Sequence, residues 1–330
     1  MTETLLLGAK DLEKILDMKS TLKVIENVFR AHGQKKVKMP AKITLDLGET
    51  GEWPGYNAYI NALPAYVGSI DIAGVKWVGG FWNNQKRGLP SIIGTIILNN
   101  PRNGLPLAIM DGTLITSIRT GAAAIVGAKY LATEPKTLAI IGAGAVGRAV
   151  LKAAREGLKL EEAKIFDVRR KTAAECAKQM SRKLDMKIKA ADDVRSAVYG
   201  ANIIVTATSA QEPLVRGDWV ERGTYICALG SYEELDDKSV EMADKLVVDD
   251  KAQTLHRGVI STKIRKNVIS ENDIYAEIGE IVAGKKPGRQ SHNEIDVFVP
   301  LGMGTEDVAV AFEAYRMAKK RQLGKSVRLL

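Results

Sequence analysis

The stretch Thr137-Leu-Ala-Ile-Ile-Gly142-Ala-Gly144-Ala-Val-Gly147-Arg-Ala-Val150 decides the fold. An apolar run of strand length ends in G-x-G-x-x-G and passes without a break into helix-forming Ala153-Ala-Arg-Glu156, the context that a dinucleotide fingerprint requires. Gly142 permits the tight turn from strand to helix. Gly144 lacks a Cβ, so the backbone can approach a pyrophosphate, and Gly147 lets the helix lie close on the sheet. The helix start at Ala145 and Val146 then offers free N–H groups and a positive dipole end to the phosphates. A second apolar run, Ala163-Lys-Ile-Phe-Asp167, ends in an acid placed to accept hydrogen bonds from both ribose hydroxyls. Asp167 favours NAD, because it repels a 2′-phosphate. Arg169, followed by Arg170 and Lys171, keeps NADP possible by offering that phosphate a partner.

Working outward, the chain alternates strand and helix from Pro135 to about residue 260, with strands expected near 138–141, 163–167, 203–208, 224–229 and 245–248. That pattern predicts a Rossmann-type doubly wound parallel sheet. Upstream, residues 11–34 carry Leu12, Ile15, Leu16, Leu22, Ile25, Val28 and Phe29 at helical spacing, so one amphipathic helix is expected there. Between Lys38 and Leu98 short alternating runs separated by Gly and Pro predict a mainly antiparallel sheet. Asn99-Asn-Pro-Arg-Asn-Gly104 reads as a hairpin turn, and Asp111-Gly-Thr opens a helix to about Ala132. Beyond Phe298, Leu301-Gly-Met-Gly304 leads into a helix over Glu306–Lys320 that returns to the first domain. The expected class is α/β, with an α+β domain over 1–125 completed by 303–330 and a Rossmann domain over 126–302.

Composition narrows the function. The 330 residues, 45% hydrophobic and 26% charged, describe a soluble globular protein with room for two cores. No apolar run approaches the length of a membrane span, and the opening Met-Thr-Glu-Thr lacks a basic leader, so a cytoplasmic protein is expected. A net charge of +9 invites a nucleic-acid reading, but the basic residues fall in scattered clusters (Lys35-Lys36-Val-Lys38, Arg169–Lys171, Lys319–Arg321) without aromatic partners. Attraction of anionic substrates explains such an excess, and no nucleic acid is expected. The two cysteines, Cys176 and Cys227, and the three histidines, His32, His256 and His292, show no ligand spacing, so no metal is expected. No G-x-S-x-G frame appears. Acid–base chemistry therefore falls mainly to Lys, Asp, Glu or water.

Three further blocks, Ala73-Gly-Val-Lys76-Trp, Arg87-Gly-Leu-Pro90-Ser and Met110-Asp-Gly-Thr with Ser117-Ile-Arg119-Thr-Gly-Ala-Ala, stand in order before the fingerprint. Glu234-Leu-Asp, Val247-Val-Asp-Asp and Gly302-x-x-x-x-Asp307-Val-Ala follow it. Together they resemble the ornithine cyclodeaminase/μ-crystallin family, which includes archaeal alanine dehydrogenases and ketimine reductases, and the likeness covers nearly the whole chain. The resemblance implies a homodimer built through the N-terminal sheet, which makes the first domain the substrate and dimerisation domain, and an active site between that sheet and the nucleotide domain. It also implies that Lys42, Lys76 and Arg119 bind a substrate carboxylate. The residues agree with this: Lys76 lies in an apolar strand, where an unpaired ammonium is costly to bury, and Arg119 carries a planar two-point anion binder beside the small residues Gly121–Ala124. The cofactor contacts implied by resemblance are Ser91, Arg119, Thr120, Gly142, Gly144, Ala145, Val146, Gly147, Asp167, Arg169, Thr206, Thr208, Ala228 and Gly230. Ala145-Val146 departs from the family's common Ala-Gln, which removes a side-chain amide and leaves the backbone N–H groups.

Two other departures bear on the reaction. Relatives place an aspartate, the proposed base for water or amine, in a longer segment before Glu-Leu-Asp. Here the segment is Gly230-Ser-Tyr232-Glu233-Glu234-Leu-Asp236, with Tyr232 or Glu233 where the acid is expected. An arginine of the alanine dehydrogenases is replaced by Asn61. Hydrolytic loss of ammonia needs a positioned base, whereas reduction of an iminium needs mainly orientation and charge placement. An NAD(P)-dependent oxidoreductase of the C–N bond of a small amino or imino acid is therefore expected, either an alanine dehydrogenase or a ketimine reductase, with Lys76 relaying the proton. Ornithine cyclodeaminase is the alternative, and a non-catalytic crystallin-like binding protein the third reading.

Overall fold

The computed structural model describes residues 3–49, 51–230 and 232–329. Met1 and Thr2 of the leader reading, Ser231 of the shortened segment and Leu330 of the closing range lie outside the described residues. The chain divides into two compact units, Met1–Arg119 with Met303–Leu330, and Thr120–Gly302. The first crossing falls inside the helix Gly112–Leu131.

The first unit is built on an eight-stranded sheet. Its strands are β1 (Glu3–Leu7), β2 (Val37–Lys38), β3 (Ile43–Asp46), β4 (Ala58–Val67), β5 (Ile72–Phe81), β6 (Ile92–Asn99), β7 (Pro106–Asp111) and a C-terminal strand, Lys325–Arg328. The order is C-terminal strand, β1, β7, β6, β5, β4, β2, with β3 also on β4. Every pairing is antiparallel except β1 with β7. The single helix expected over 11–34 is two helices, Ala9–Ile15 and Met18–Gly33. Leu16 is extended, and the Asp17 carboxylate accepts from Ser20 N at 2.8 Å and starts a new helix. Apolar spacing alone does not show that break, because an N-cap satisfies orphan donors without disturbing the buried stripe.

Strand alternation sorts the sheet's two faces. Lys76 on β5 stands beside Leu63 of β4 and Ile96 of β6, all of them buried. The helix Gly304–Arg321 covers this face because its first residue has no side chain. A Cβ on Gly304 would lie 2.8 Å from the Leu63 carbonyl oxygen. That close approach brings the helix's first turn, with Glu306 and Asp307, against the strand neighbour of Lys76.

The second unit carries β8 (Thr137–Ile141), β9 (Glu162–Phe166), β10 (Ile188–Ala190), β11 (Ile203–Thr206), β12 (Tyr225–Ala228), β13 (Lys245–Val248), β14 (Ile274–Glu277) and β15 (Asp296–Val299). All are parallel, in the order β10-β9-β8-β11-β12-β15-β13-β14. β10, β14 and β15 lie outside the strands expected from sequence. β15 inserts between β12 and β13, and its leading Asp296 disguised it. That carboxylate is buried against Arg289 Nε at 2.9 Å, so a charged residue occupies a core strand. The small residues after Arg119 have their reason here too. A Cβ on Gly121 would lie 2.6 Å from Ala149 C, so the helix Gly112–Leu131 rests directly on the helix Ala145–Gly157.

Candidate active site

Strand order reverses between β8 and β11, and in such sheets ligands bind at the carboxyl ends beside the reversal. Gly142 leaves β8 at φ +112°, a conformation that glycine alone adopts freely. A Cβ there would also meet the Ala207 carbonyl oxygen at 2.4 Å. One on Gly147 would come within 1.9 Å of the Gly142 carbonyl oxygen, so the helix Ala145–Gly157 can start this close only with glycine. Gly144 differs: it is exposed, and nothing lies within 4 Å of its missing Cβ. That open space, with Ala145 exposed and Val146 half-buried at a helix N-terminus, fits a pyrophosphate.

Asp167 stands beside this turn. Its Oδ2 accepts from Ala143 N at 3.0 Å, and its Oδ1 accepts from Arg169 N at 2.9 Å. The carboxylate thus braces the glycine turn and keeps lone pairs for ribose hydroxyls. The exposed Arg169 side chain lies 3.6 Å from Asp167. Ala228 is buried at the end of β12, with Gly230 just beyond. The two threonines turn towards one acid. Thr206 is 0% exposed and donates to Glu234 Oε2 at 2.6 Å, while the Thr208 hydroxyl donates to Glu234 Oε1 at 2.6 Å. The Thr206 side chain is committed to Glu234, an acid that the sequence reading did not single out as a site residue.

In the first unit four charged side chains are buried together. Lys76 Nζ lies 2.6 Å from Asp307 Oδ2, Arg119 Nε 3.0 Å from Asp307 Oδ1, and Arg119 Nη1 2.8 Å from Glu306 Oε2. Asp307 therefore bridges both cations. Burial pushes the Lys76 pKa down to about 8, helped by Arg119 and by the charge of half-buried Lys42, and opposed by Asp307. Burial also acts against the Arg119 charge, but Asp307 and Glu306 outweigh it and raise its pKa. The sequence reading named the two cations and missed Glu306 as a partner. The signal was present: adjacent acids inside Gly304-Thr-Glu-Asp-Val-Ala-Val-Ala, a small apolar helix start, must meet cations if they are buried.

Other expected residues fall elsewhere. Glu233 accepts from Lys266 Nζ at 2.9 Å and lies 3.7 Å from buried Lys263. Two lysines thus face its carboxylate. Tyr232 is half-buried, and its carbonyl accepts from Glu234 N at 2.9 Å. Ser91 and Thr120 are half-buried, the Ser91 carbonyl accepting from Phe81 N at 2.7 Å. Asn61 shares the Lys76 face of the sheet and accepts from the Thr44 hydroxyl at 2.6 Å. Among the described residues no helix is long and apolar enough to cross a membrane, and no group of three or more His, Cys, Asp or Glu could hold a metal ion.

A glycine-built nucleotide turn in one unit and a buried cluster of two cations and two acids in the other mark the α/β chain. Residues 2–322 match the profile of the ornithine cyclodeaminase/mu-crystallin family, and the chain belongs to that family. It is 37% identical to the alanine dehydrogenase of Archaeoglobus fulgidus, over 99% of this chain and 98% of the relative. The Δ1-pyrroline-2-carboxylate reductase of Thermococcus litoralis, solved with NADH and L-proline, matches with a TM-score of 0.94 and 38% identity, covering 98% of this chain and 100% of the other. An archaeal alanine dehydrogenase dimer with bound NAD matches with a TM-score of 0.92 and 35% identity, covering 100% of both chains. With such relatives, the chain is an enzyme of the family's dehydrogenase and reductase kind.

Proposed function

We propose that this enzyme uses NAD(H) to reduce the C=N bond of a small imino acid, or to oxidise the corresponding amino acid. The observation that carries the reading is the buried Lys76–Asp307–Arg119–Glu306 cluster, which joins a fixed guanidinium to a lysine whose pKa lies near working pH. NADH, when bound by the Gly142–Gly147 turn and Asp167, supplies the hydride. Arg119, with Lys42, holds the substrate carboxylate through charge-assisted hydrogen bonds, which fixes orientation. Lys76 Nζ delivers the proton to the imine nitrogen, so that hydride and proton together turn C=N into CH–NH. Asp307 keeps both cations in place. The pairing of Glu233 with Lys266 supports reduction over hydrolytic loss of ammonia, which asks for a free base.

The expected assay result is NADH oxidation with pyrroline-2-carboxylate, or with pyruvate plus ammonia, and slower turnover with NADPH. Nucleotide binding without turnover on any imino acid would leave a ligand-binding protein instead. A cytoplasmic place of action goes with a diffusible dinucleotide as co-substrate.

We also propose a homodimer. Ile43, Leu45, Trp77 and Ile93 share the sheet face opposite Lys76 and are 69%, 50%, 49% and 41% exposed. An apolar stripe of this kind on a sheet asks for a partner, and a second copy offers a self-complementary one. Sedimentation should show a dimer, and Trp77→Glu should shift it towards monomer. An unchanged mass for the variant would move the interface elsewhere.

A further inference from the structure

One buried carboxylate in the second unit has no part in the chemistry above. Glu234 is 0% exposed, yet no cation pairs with it among the described residues. Four donors converge on it instead: Thr206 Oγ1 at 2.6 Å and Gly230 N at 2.7 Å on Oε2, Thr208 N at 2.8 Å and Thr208 Oγ1 at 2.6 Å on Oε1. A carboxylate accepts at about four lone-pair sites, so this one is filled. Burial raises its pKa against the pull of those same hydrogen bonds.

The donors come from the carboxyl end of β11 with the loop after it, and from the loop after β12. β11 is the neighbour of β8 on the far side of the strand reversal and β12 comes next, and the carboxyl ends of that half of such a sheet receive the second half of a dinucleotide. The loops sit flush on Glu234, for a Cβ on Gly230 would lie 2.3 Å from its Cδ. Around it three further N–H groups are bonded within the protein, Ala207 N to Ile141 O at 2.8 Å, Leu229 N to Thr206 O at 2.9 Å and Ala210 N to Thr208 Oγ1 at 3.2 Å. With those donors taken up internally, recognition of a nicotinamide amide by these loops would fall to their carbonyl oxygens.

We infer that Glu234 is the positioning residue for the nicotinamide end of the cofactor, acting by tying the β11 and β12 loops into one surface. The inference rests on the NAD(H) reading above. Its distinguishing feature is locality: the adenosine and pyrophosphate are held by the glycine turn and Asp167, which Glu234 does not touch.

The test compares NADH with ADP-ribose, which lacks only the nicotinamide. Glu234→Gln turns an NH2 towards converging donors and should weaken NADH binding about 10-fold or more, with ADP-ribose changed by less than about twofold. KM for NADH should rise accordingly, while KM for the imino acid holds. Should Glu234→Gln fail to fold, Thr206→Val and Thr206→Ser carry the same comparison. The valine, lacking the hydroxyl, should weaken NADH selectively, and the serine, keeping it, should not. Equal losses for both ligands, or no loss for either, would overturn the assignment and leave Glu234 a plain structural brace. A wild-type protein that binds ADP-ribose but gains nothing from the nicotinamide would overturn it as well. A wild-type protein that binds neither ligand would overturn the NAD(H) reading, and this one with it.

Discussion

The two cradles are made of different material. In the first unit the proposed site is four charged side chains buried against one another, and its properties are those of Lys76, Arg119, Glu306 and Asp307. In the second, the phosphate end is almost bare backbone, shaped by where Gly142, Gly144 and Gly147 lack a Cβ. A charge cluster is broken by changing what a side chain carries. A backbone cradle is broken by adding an atom. The difference predicts which substitutions abolish turnover while sparing the cofactor, and which do the reverse.

The largest effect is expected at Lys76. Lys76→Met removes the proton donor and should lower kcat by about 10²–10⁴-fold, the range for a positioned acid. NADH affinity, measured by fluorescence titration, should be unchanged. In the wild type the protonated form is needed for reduction. With the Lys76 pKa lowered to about 8, reductive kcat/KM should fall as pH rises through that value, and the oxidative direction should gain. A variant that keeps this alkaline limb would show that another group carries the proton.

Arg119→Lys comes next. It keeps the charge but cannot reach Asp307 and Glu306 while presenting a fork to substrate. Loss of a charge-assisted two-point contact is worth on the order of 2–3 kcal/mol, or roughly 30- to 150-fold in kcat/KM. Near-wild-type kinetics on every carboxylate substrate would make Arg119 structural only.

The glycines sharpen the contrast. Gly144→Ala has open space in the protein, so Tm should hold while NADH affinity falls by about 10-fold, since only a bound pyrophosphate occupies that space. Gly147→Ala collides with the Gly142 carbonyl and should lower Tm as well as affinity. If Gly144→Ala left NADH binding intact, the cofactor would not lie where the fingerprint places it.

That contrast also governs what the sequence made legible. A backbone cradle depends on residue type at fixed spacing, so the strand, glycines, helix and Asp167 could be read from the letters alone. The cations Lys76 and Arg119 were readable because a charge in an apolar or small-residue run needs a reason. Which acids meet them was harder to read: Glu306 and Asp307 stand out as charges in a small apolar run, but they reach Lys76 and Arg119 only through the close approach of Gly304 to β4, a tertiary event. Glu234 was hidden for a related reason: its partners are hydroxyls and N–H groups from two loops, and no opposite charge marks it. Asp296 shows the same failure in a strand, where Arg289 supplies the missing partner from outside the run.

The central claim is that the charge cluster spends the cofactor's hydride on a C–N bond in net reduction or oxidation. One preparation settles it, with NADH loss and amino-acid formation followed from pyrroline-2-carboxylate beside proline and ammonia release from ornithine. The account predicts one NADH consumed for each amino acid formed, and little ammonia from ornithine. Rapid conversion of ornithine to proline and ammonia with no net change in NADH, and negligible reduction of the imino acid, would contradict it.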